Sequence, residues 1–142
     1  MVGILIATYG DIGRSLLDTA VELLGEPAAG ATAITLDDGQ DRTHAWDGLV
    51  EASDSVDSGS GVLILVDMFG STSSTLALSL LADRNVEVLT GVNLAMILRA
   101  LLNRTEAPLK ALSEDVLRYG RRNVTSSATW LGSADTSQGI DR

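Results

Sequence analysis

The stretch Val62-Leu63-Ile64-Leu65-Val66-Asp67-Met68-Phe69-Gly70-Ser71-Thr72 decides the fold. It begins with five consecutive apolar residues, three of them β-branched, which predicts a strand buried on both faces. The acid Asp67 ends that run, and a turn rich in hydroxyl side chains then leads into helical spacing. A buried strand that passes directly into a helix is the building unit of parallel α/β sheets.

The same alternation of strand and helix continues on both sides of this stretch. Short apolar runs predict strands near residues 2–8, 31–36, 62–67 and 86–89. Between them, apolar residues recur at the spacing of amphipathic helices, and Pro108 precedes the last clear helical stripe. The sequence therefore predicts one α/β domain with an open, mostly parallel sheet and helices on both of its faces.

The C-terminal segment has a mixed pattern. Residues Val124 to Leu131 predict a possible final short strand, and 132–142 are predicted to form a flexible polar tail. The predicted domain therefore covers residues 1–131.

Composition excludes several classes of function. The 142 residues carry a formal net charge of −9, from 10 basic and 19 acidic side chains, which argues against binding to nucleic acid or to anionic lipid. There is no cysteine and only one histidine, so no metal centre or redox site based on those side chains is expected, and no cofactor is predicted. No apolar run is long enough to cross a membrane, and the N-terminus lacks a basic leader, which predicts a cytoplasmic location.

The predicted topology places the functional crevice outside the carboxyl ends of the strands. Asp67 lies there, either capping its own turn or orienting a reactive group across the crevice. The turn Gly70-Ser71-Thr72 follows at the start of a helix. Backbone N–H groups at such a position can bind an anion, although ordinary N-capping by one of the hydroxyls is the simpler interpretation.

Two further side chains could carry chemistry. Tyr9 follows the first strand, where packing or ligand contact is a more common role for a tyrosine than nucleophilic attack. His44, the one imidazole, follows the second strand near the start of a helix. An exposed surface position in the first turn is expected for it. A helix N-terminus disfavours a protonated imidazole, which does not favour a phosphate-accepting role.

Four segments, in order, resemble one known family. They are Val2-Gly3-Ile4-Leu5-Ile6-Ala7-Thr8 with Gly10, Asp57-Ser58-Gly59-Ser60-Gly61-Val62-Leu63, Asp67-Met68-Phe69-Gly70-Ser71, and Asn85-Val86-Glu87-Val88-Leu89-Thr90-Gly91-Val92-Asn93-Leu94-Ala95-Met96. Over about residues 1 to 122 the chain resembles the IIA domain of the mannose-type (mannose–fructose–sorbose) sugar phosphotransferase system, which depends on phosphoenolpyruvate.

The resemblance implies a fold, partners and a site. Members of the family are homodimeric α/β proteins in which a C-terminal strand can be exchanged between protomers. They accept a phosphoryl group from the phosphocarrier HPr on one histidine and pass it to a IIB protein. The resemblance places Tyr9 at the position of that histidine, between Thr8 and Gly10 where the family has Thr-His-Gly. It matches Asp67 to the aspartate that binds the imidazole, and Thr8, Gly10, Gly70, Ser71 and Thr72 to the phosphate site.

The departures from the family pattern bear on function. The usual Gly-Gly-Ser-Pro turn is Gly70-Ser71-Thr72-Ser73 here, and Asn-Leu-Pro is Asn93-Leu94-Ala95. Tyr9 replaces the phosphoryl acceptor, which predicts a homologue that has lost phosphotransfer and acts as a binding or regulatory module. The alternative is an active carrier that uses another residue, such as His44 or, as an acyl phosphate, Asp67.

Overall fold

The computed structural model describes residues 1–25, 28–37 and 39–138, with side chains described as far as residue 132. Four strands alternate with helices along the described chain. The elements in order are β1 Gly3–Thr8, α1 Ile12–Leu24, β2 Ala31–Thr35, α2 Arg42–Val56, β3 Val62–Val66, α3 Thr72–Ser79 with a 3₁₀ turn Leu80–Ala82, β4 Val86–Thr90, α4 Leu94–Asn103, α5 Leu109–Arg122 and α6 Ser127–Gln138.

The strands form one parallel sheet in the order β2-β1-β3-β4. In its register, Ile4 of β1 lies opposite Ala31 of β2 on one side and Leu63 of β3 on the other. The prediction of an open, mostly parallel α/β sheet is confirmed.

Helices cover both faces of the sheet because side chains alternate along each strand. Ile4 and Ile6 of β1 pack in a core with α1, α4 and α5, whereas Leu5 and Ala7 pack in a second core with α2 and α3. All four of these side chains are fully buried, as are the five residues of β3. The two central strands are therefore the continuous apolar runs that parallel sheets require.

The C-terminal segment differs from the prediction. The prediction of a short strand over Val124 to Leu131 is wrong, because residues from Ser127 onward form α6. The hydroxyl of Ser126 accepts a hydrogen bond from the Thr129 N–H at 3.1 Å, which is an N-cap contact that starts a helix. The backbone of 132–138 continues this helix into the predicted polar tail, and 139–142 lie outside the described residues.

No helix in the described part of the chain is both long enough and apolar enough to cross a bilayer.

Candidate functional site

The strand order creates a crevice between β1 and β3. The chain leaves β1 toward β2 on one side, and β3 lies on the other side of β1, so the connections diverge at the carboxyl ends of these two strands. A cavity of about 330 Å³ lies there, which we call the carboxyl-end cavity. Its lining residues are Tyr9, Leu36, Asp67, Met68, Gly70, Ser71, Thr72 and Ser73.

Asp67 links the ends of the two central strands. Its Oδ2 accepts a hydrogen bond from the Tyr9 N–H at 2.8 Å. Its Oδ1 accepts hydrogen bonds from the Met68 N–H at 2.8 Å and from the Ser71 hydroxyl at 3.1 Å. The carboxylate therefore caps its own turn, and it also reaches across the crevice to the main chain of residue 9.

The side chain of Tyr9 is 55% exposed. Its hydroxyl has no hydrogen-bond partner among the described residues. Tyr9 shares the cavity with those residues but binds Asp67 through its backbone alone. The phenol is therefore available to solvent or to a partner.

Thr8 and Gly10 shape the loop that carries Tyr9. Thr8 is fully buried, and its hydroxyl accepts a hydrogen bond from the Gly13 N–H at 2.8 Å, which fixes the start of α1. Gly10 has φ +55°, donates its N–H to Asp37 at 3.2 Å and accepts from the Thr35 hydroxyl at 2.8 Å. Neither residue lines the carboxyl-end cavity. Of the residues matched to a phosphate site, these two hold the loop in place instead of facing the cavity.

The turn before α3 contains the remaining anion-binding groups. Gly70 takes φ +85°, a left-handed conformation that suits glycine. The Ser71 hydroxyl caps α3 by accepting from the Ser74 N–H at 3.1 Å, so ordinary N-capping describes Ser71. The N–H of Ser73, in the first turn, has no acceptor in the described chain, and Ser73 lines the cavity. A backbone donor at a helix N-terminus can bind an oxyanion.

A cation that the sequence analysis did not single out lies beside this turn. Arg42, the first residue of α2, lines a neighbouring cavity of about 260 Å³ together with Gly70, Thr72 and the acid Asp37. The signal was present, because Arg42 follows β2 and therefore lies at the same edge of the sheet. A lone arginine that belongs to no recognised motif does not by itself indicate a functional site.

His44 lies in the first turn of α2 and is exposed. It lines neither the carboxyl-end cavity nor the neighbouring one that contains Arg42. The structure brings Tyr9, Asp67, Gly70, Ser71 and Thr72 together and leaves His44 outside that group.

Comparison with known proteins shows the family and the fold of the chain. The model of the EIIA-man family, described as PTS system fructose IIA component, matches residues 3–117. A search of curated proteins returns no match.

Solved structures share the fold. The mannose/sorbose-specific IIA subunit of the phosphotransferase system from Enterococcus faecalis has a TM-score of 0.78 at 19% identity, covering 88% of this chain and 93% of that one. The phosphotransferase system component EIIA from Streptococcus agalactiae has a TM-score of 0.81 at 22% identity, covering 91% and 99%. The PTS IIA protein associated with the fucose utilization operon of Streptococcus pneumoniae has a TM-score of 0.76 at 22% identity, covering 91% and 95%.

Proposed function

The chain belongs to the EIIA-man family of mannose-type sugar phosphotransferase IIA components, and from this premise we propose that it has lost histidine phosphotransfer and acts as a binding or regulatory module. The observation that carries the proposal is the residue after β1. Where the family has Thr-His-Gly, this chain has Thr8-Tyr9-Gly10, next to the Asp67 carboxylate.

The chemistry of tyrosine fits a phosphoryl relay poorly. Transfer from phosphohistidine to a phenol would break a labile P–N bond and form a more stable P–O ester, so the group would not readily move on to a third protein. A phenol is also a much weaker nucleophile than the imidazole that the family uses. The Tyr9 hydroxyl makes no hydrogen bond to Asp67 in the described chain, because the carboxylate binds two backbone N–H groups and the Ser71 hydroxyl instead.

A binding role suits the surface around the site. Tyr9, Met68 and Phe69 are exposed at 55%, 66% and 76%. Exposed apolar side chains that cluster at a crevice are typical of protein interaction sites. The family supplies the partners that we propose for this surface, an HPr-like phosphocarrier and a IIB-type protein. We also propose a cytoplasmic location for the chain, as the family implies.

We also propose a homodimer, as the family implies. Trp130 and Leu131 are 63% and 58% exposed on α6, where a second protomer could cover them.

An active carrier that uses His44 is the alternative. His44 follows β2 and lies at the carboxyl edge of the sheet, which supports it. Its absence from the lining of the carboxyl-end cavity weakens this alternative.

Labelling by phosphorylated HPr tests the proposal. Purified chain is incubated with enzyme I, HPr and labelled phosphoenolpyruvate, and incorporated label is measured. The wild-type protein should take no label, and Tyr9→His should gain acid-labile label because it restores an imidazole beside Asp67. Tyr119→His is the matched control, since it introduces the same imidazole on α5, and it should stay unlabelled.

In the double variant Tyr9→His, His44→Gln, the only histidine is at position 9. Label on this variant would therefore be assigned to that position. Robust labelling of the wild type that disappears in His44→Gln would replace the proposal with the active-carrier alternative.

A further inference from the structure

A buried cation lies at the end of the sheet opposite the carboxyl-end cavity. Arg104 directly follows α4, and only 8% of it is exposed. Its Nη1 is buried and has no hydrogen-bond partner in the described chain. Arginine remains protonated in proteins, and an unpaired buried charge is costly, so an unpartnered guanidinium calls for a ligand.

The backbone holds Arg104 in a defined position. Its N–H donates to the Ala100 carbonyl at 3.0 Å, and its carbonyl accepts from the Val2 N–H at 3.0 Å. Burial lowers the pKa of Arg104. The backbone of Arg104 is therefore fixed, and no acidic side chain among the described residues is paired with its guanidinium.

Two cavities meet at Arg104. The larger, of about 430 Å³, we call the basal cavity, and the other has about 400 Å³. The basal cavity is lined by Met1, Val2, Ser60, Asn85, Arg104, Thr105, Ala107, Pro108, Leu109 and Lys110. Its volume falls within the range of about 300–1,000 Å³ that is typical of small-molecule sites.

The start of α5 forms one wall of the basal cavity. This helix has 14 residues, and Pro108 at its N-cap position provides no side-chain cap. The first-turn residues Leu109 and Lys110 both line the cavity. Uncapped N–H groups and the helix dipole favour an anion at this place.

The charge of the lining is opposite to that of the chain. The chain carries 19 acidic and 10 basic side chains, yet the described residues of the lining include Arg104 and Lys110 and no acid. We propose that the basal cavity binds the phosphate group of a small metabolite, with Arg104 as its buried anchor, Lys110 as a second cation and the start of α5 as a backbone donor site. Two cations and a helix N-terminus match the double charge of phosphate better than the single charge of a carboxylate. This site is independent of any chemistry at Tyr9.

Thermal unfolding tests the proposal with inorganic phosphate as the probe. Wild-type protein is melted in phosphate, acetate and chloride at matched pH and ionic strength. Phosphate should raise the Tm by about 4 °C or more over chloride at saturation, and acetate should raise it less.

Arg104→Met removes the charge with little change in volume and should abolish the phosphate-dependent shift. Lys110→Ala should weaken the apparent phosphate affinity severalfold. Arg121→Met, an exposed arginine at the other end of α5, is the matched control and should leave the shift intact.

Amide NMR of the wild type locates the bound phosphate even if Arg104→Met fails to fold. The peaks of Thr105, Lys110 and Ala111 should move together during a phosphate titration.

Equal Tm shifts in phosphate and chloride, or a phosphate-dependent Tm shift that survives Arg104→Met, would overturn the proposal. So would movement confined to Ser73, which would place the ion at the carboxyl-end cavity. An acetate effect as large as that of phosphate would overturn the choice of phosphate. Peaks that move with protein concentration and not with phosphate would assign the cavity to a second copy of the chain.

Discussion

Asp67 uses each of its carboxylate oxygens to hold the ends of β1 and β3 in place. Two of its three donors are backbone N–H groups, from Tyr9 and Met68, and the third is the Ser71 hydroxyl that also caps α3. Hydrogen bonds to a charged acceptor contribute about 1.5–3 kcal/mol each, more than neutral ones. At the scale of single residues, Asp67 therefore stabilises the structure of the site, in addition to any role in binding a ligand.

Asp67→Asn tests this structural role. An amide offers one acceptor oxygen and a donor nitrogen, so at least one backbone N–H would face another donor. We expect the free energy of unfolding to fall by about 1–3 kcal/mol, measured by urea denaturation. Asp18→Asn, at an exposed site on α1, is the control and should have little effect. Equal stability of Asp67→Asn and wild type would contradict the role.

Strand ends were the part of the site that the sequence predicted well. Tyr9 and Asp67 follow continuous apolar runs, and the topology of parallel sheets then places them at one edge. The direction of the Tyr9 side chain was not predictable, because its hydroxyl has no partner to fix it. The burial of Thr8 against Gly13 depends on a contact between a strand and a helix that no local pattern encodes.

At the scale of elements, a charged cluster joins α4 to α5. Asp115 accepts hydrogen bonds from Arg99 at 2.7 and 3.2 Å, from Asn103 at 3.1 Å and from Arg118 at 3.0 Å. The hydrogen bond with Arg99, aided by those from Asn103 and Arg118, lowers the pKa of Asp115 to about 2. The cluster lies beside Tyr119, whose ring centroid is 5.1 Å from the Arg99 guanidinium carbon.

The lowered pKa of Asp115 predicts how stability depends on pH. The stabilisation is present above the ordinary carboxyl pKa of 3.8 and is lost as pH falls toward about 2, because the unfolded chain then binds a proton more readily than the folded one. Asp115→Asn should lower the free energy of unfolding at pH 7 by about 1 kcal/mol, a modest value because water reaches the cluster. The difference in free energy of unfolding between Asp115→Asn and the wild type should decrease between pH 4 and pH 2.

Denaturant curves across this pH range provide the measurement. Glu114 is the exposed neighbour of Asp115 on α5 and provides the control. The difference in free energy of unfolding between Glu114→Gln and the wild type should show no such dependence on pH. If Asp115→Asn lowers the free energy of unfolding by the same amount down to pH 2, the ion pairs of Asp115 are not the cause of that loss.

The elements themselves were predictable to different degrees. β1 and β3 are buried on both faces, so composition alone marked them as strands. The mixed segment from Val124 to Leu131 was predicted as a strand, yet α6 begins at Ser127, and the apolar residues Val124, Trp130 and Leu131 are exposed. Residues 121–132 are all exposed, so no burial pattern marked this part of the chain as helical, and the Ser126 cap is the local contact that favours a helix start.

At the scale of the whole molecule, α6 bears on the assembly. The exposed Trp130 and Leu131 are the features that a homodimer would cover. We expect sedimentation velocity at micromolar concentration to show a dimer. Replacement of both residues by serine should shift the protein toward monomer because the contact loses apolar area. Leu81→Ser, at an exposed leucine outside α6, should leave the assembly unchanged. A wild-type protein that remains monomeric would contradict the dimer.

The contact between Tyr9 and Asp67 separates folding from reactivity. The donor is the main-chain N–H of residue 9, which every amino acid except proline supplies. The exposed phenol adds no hydrogen bond within the described chain, so the scaffold is insensitive to which side chain stands there. A gene encoding this fold could therefore gain or lose a reactive group at position 9 in a single substitution without a folding penalty. Selection can then adjust the chemistry of a duplicated copy while its architecture is inherited intact.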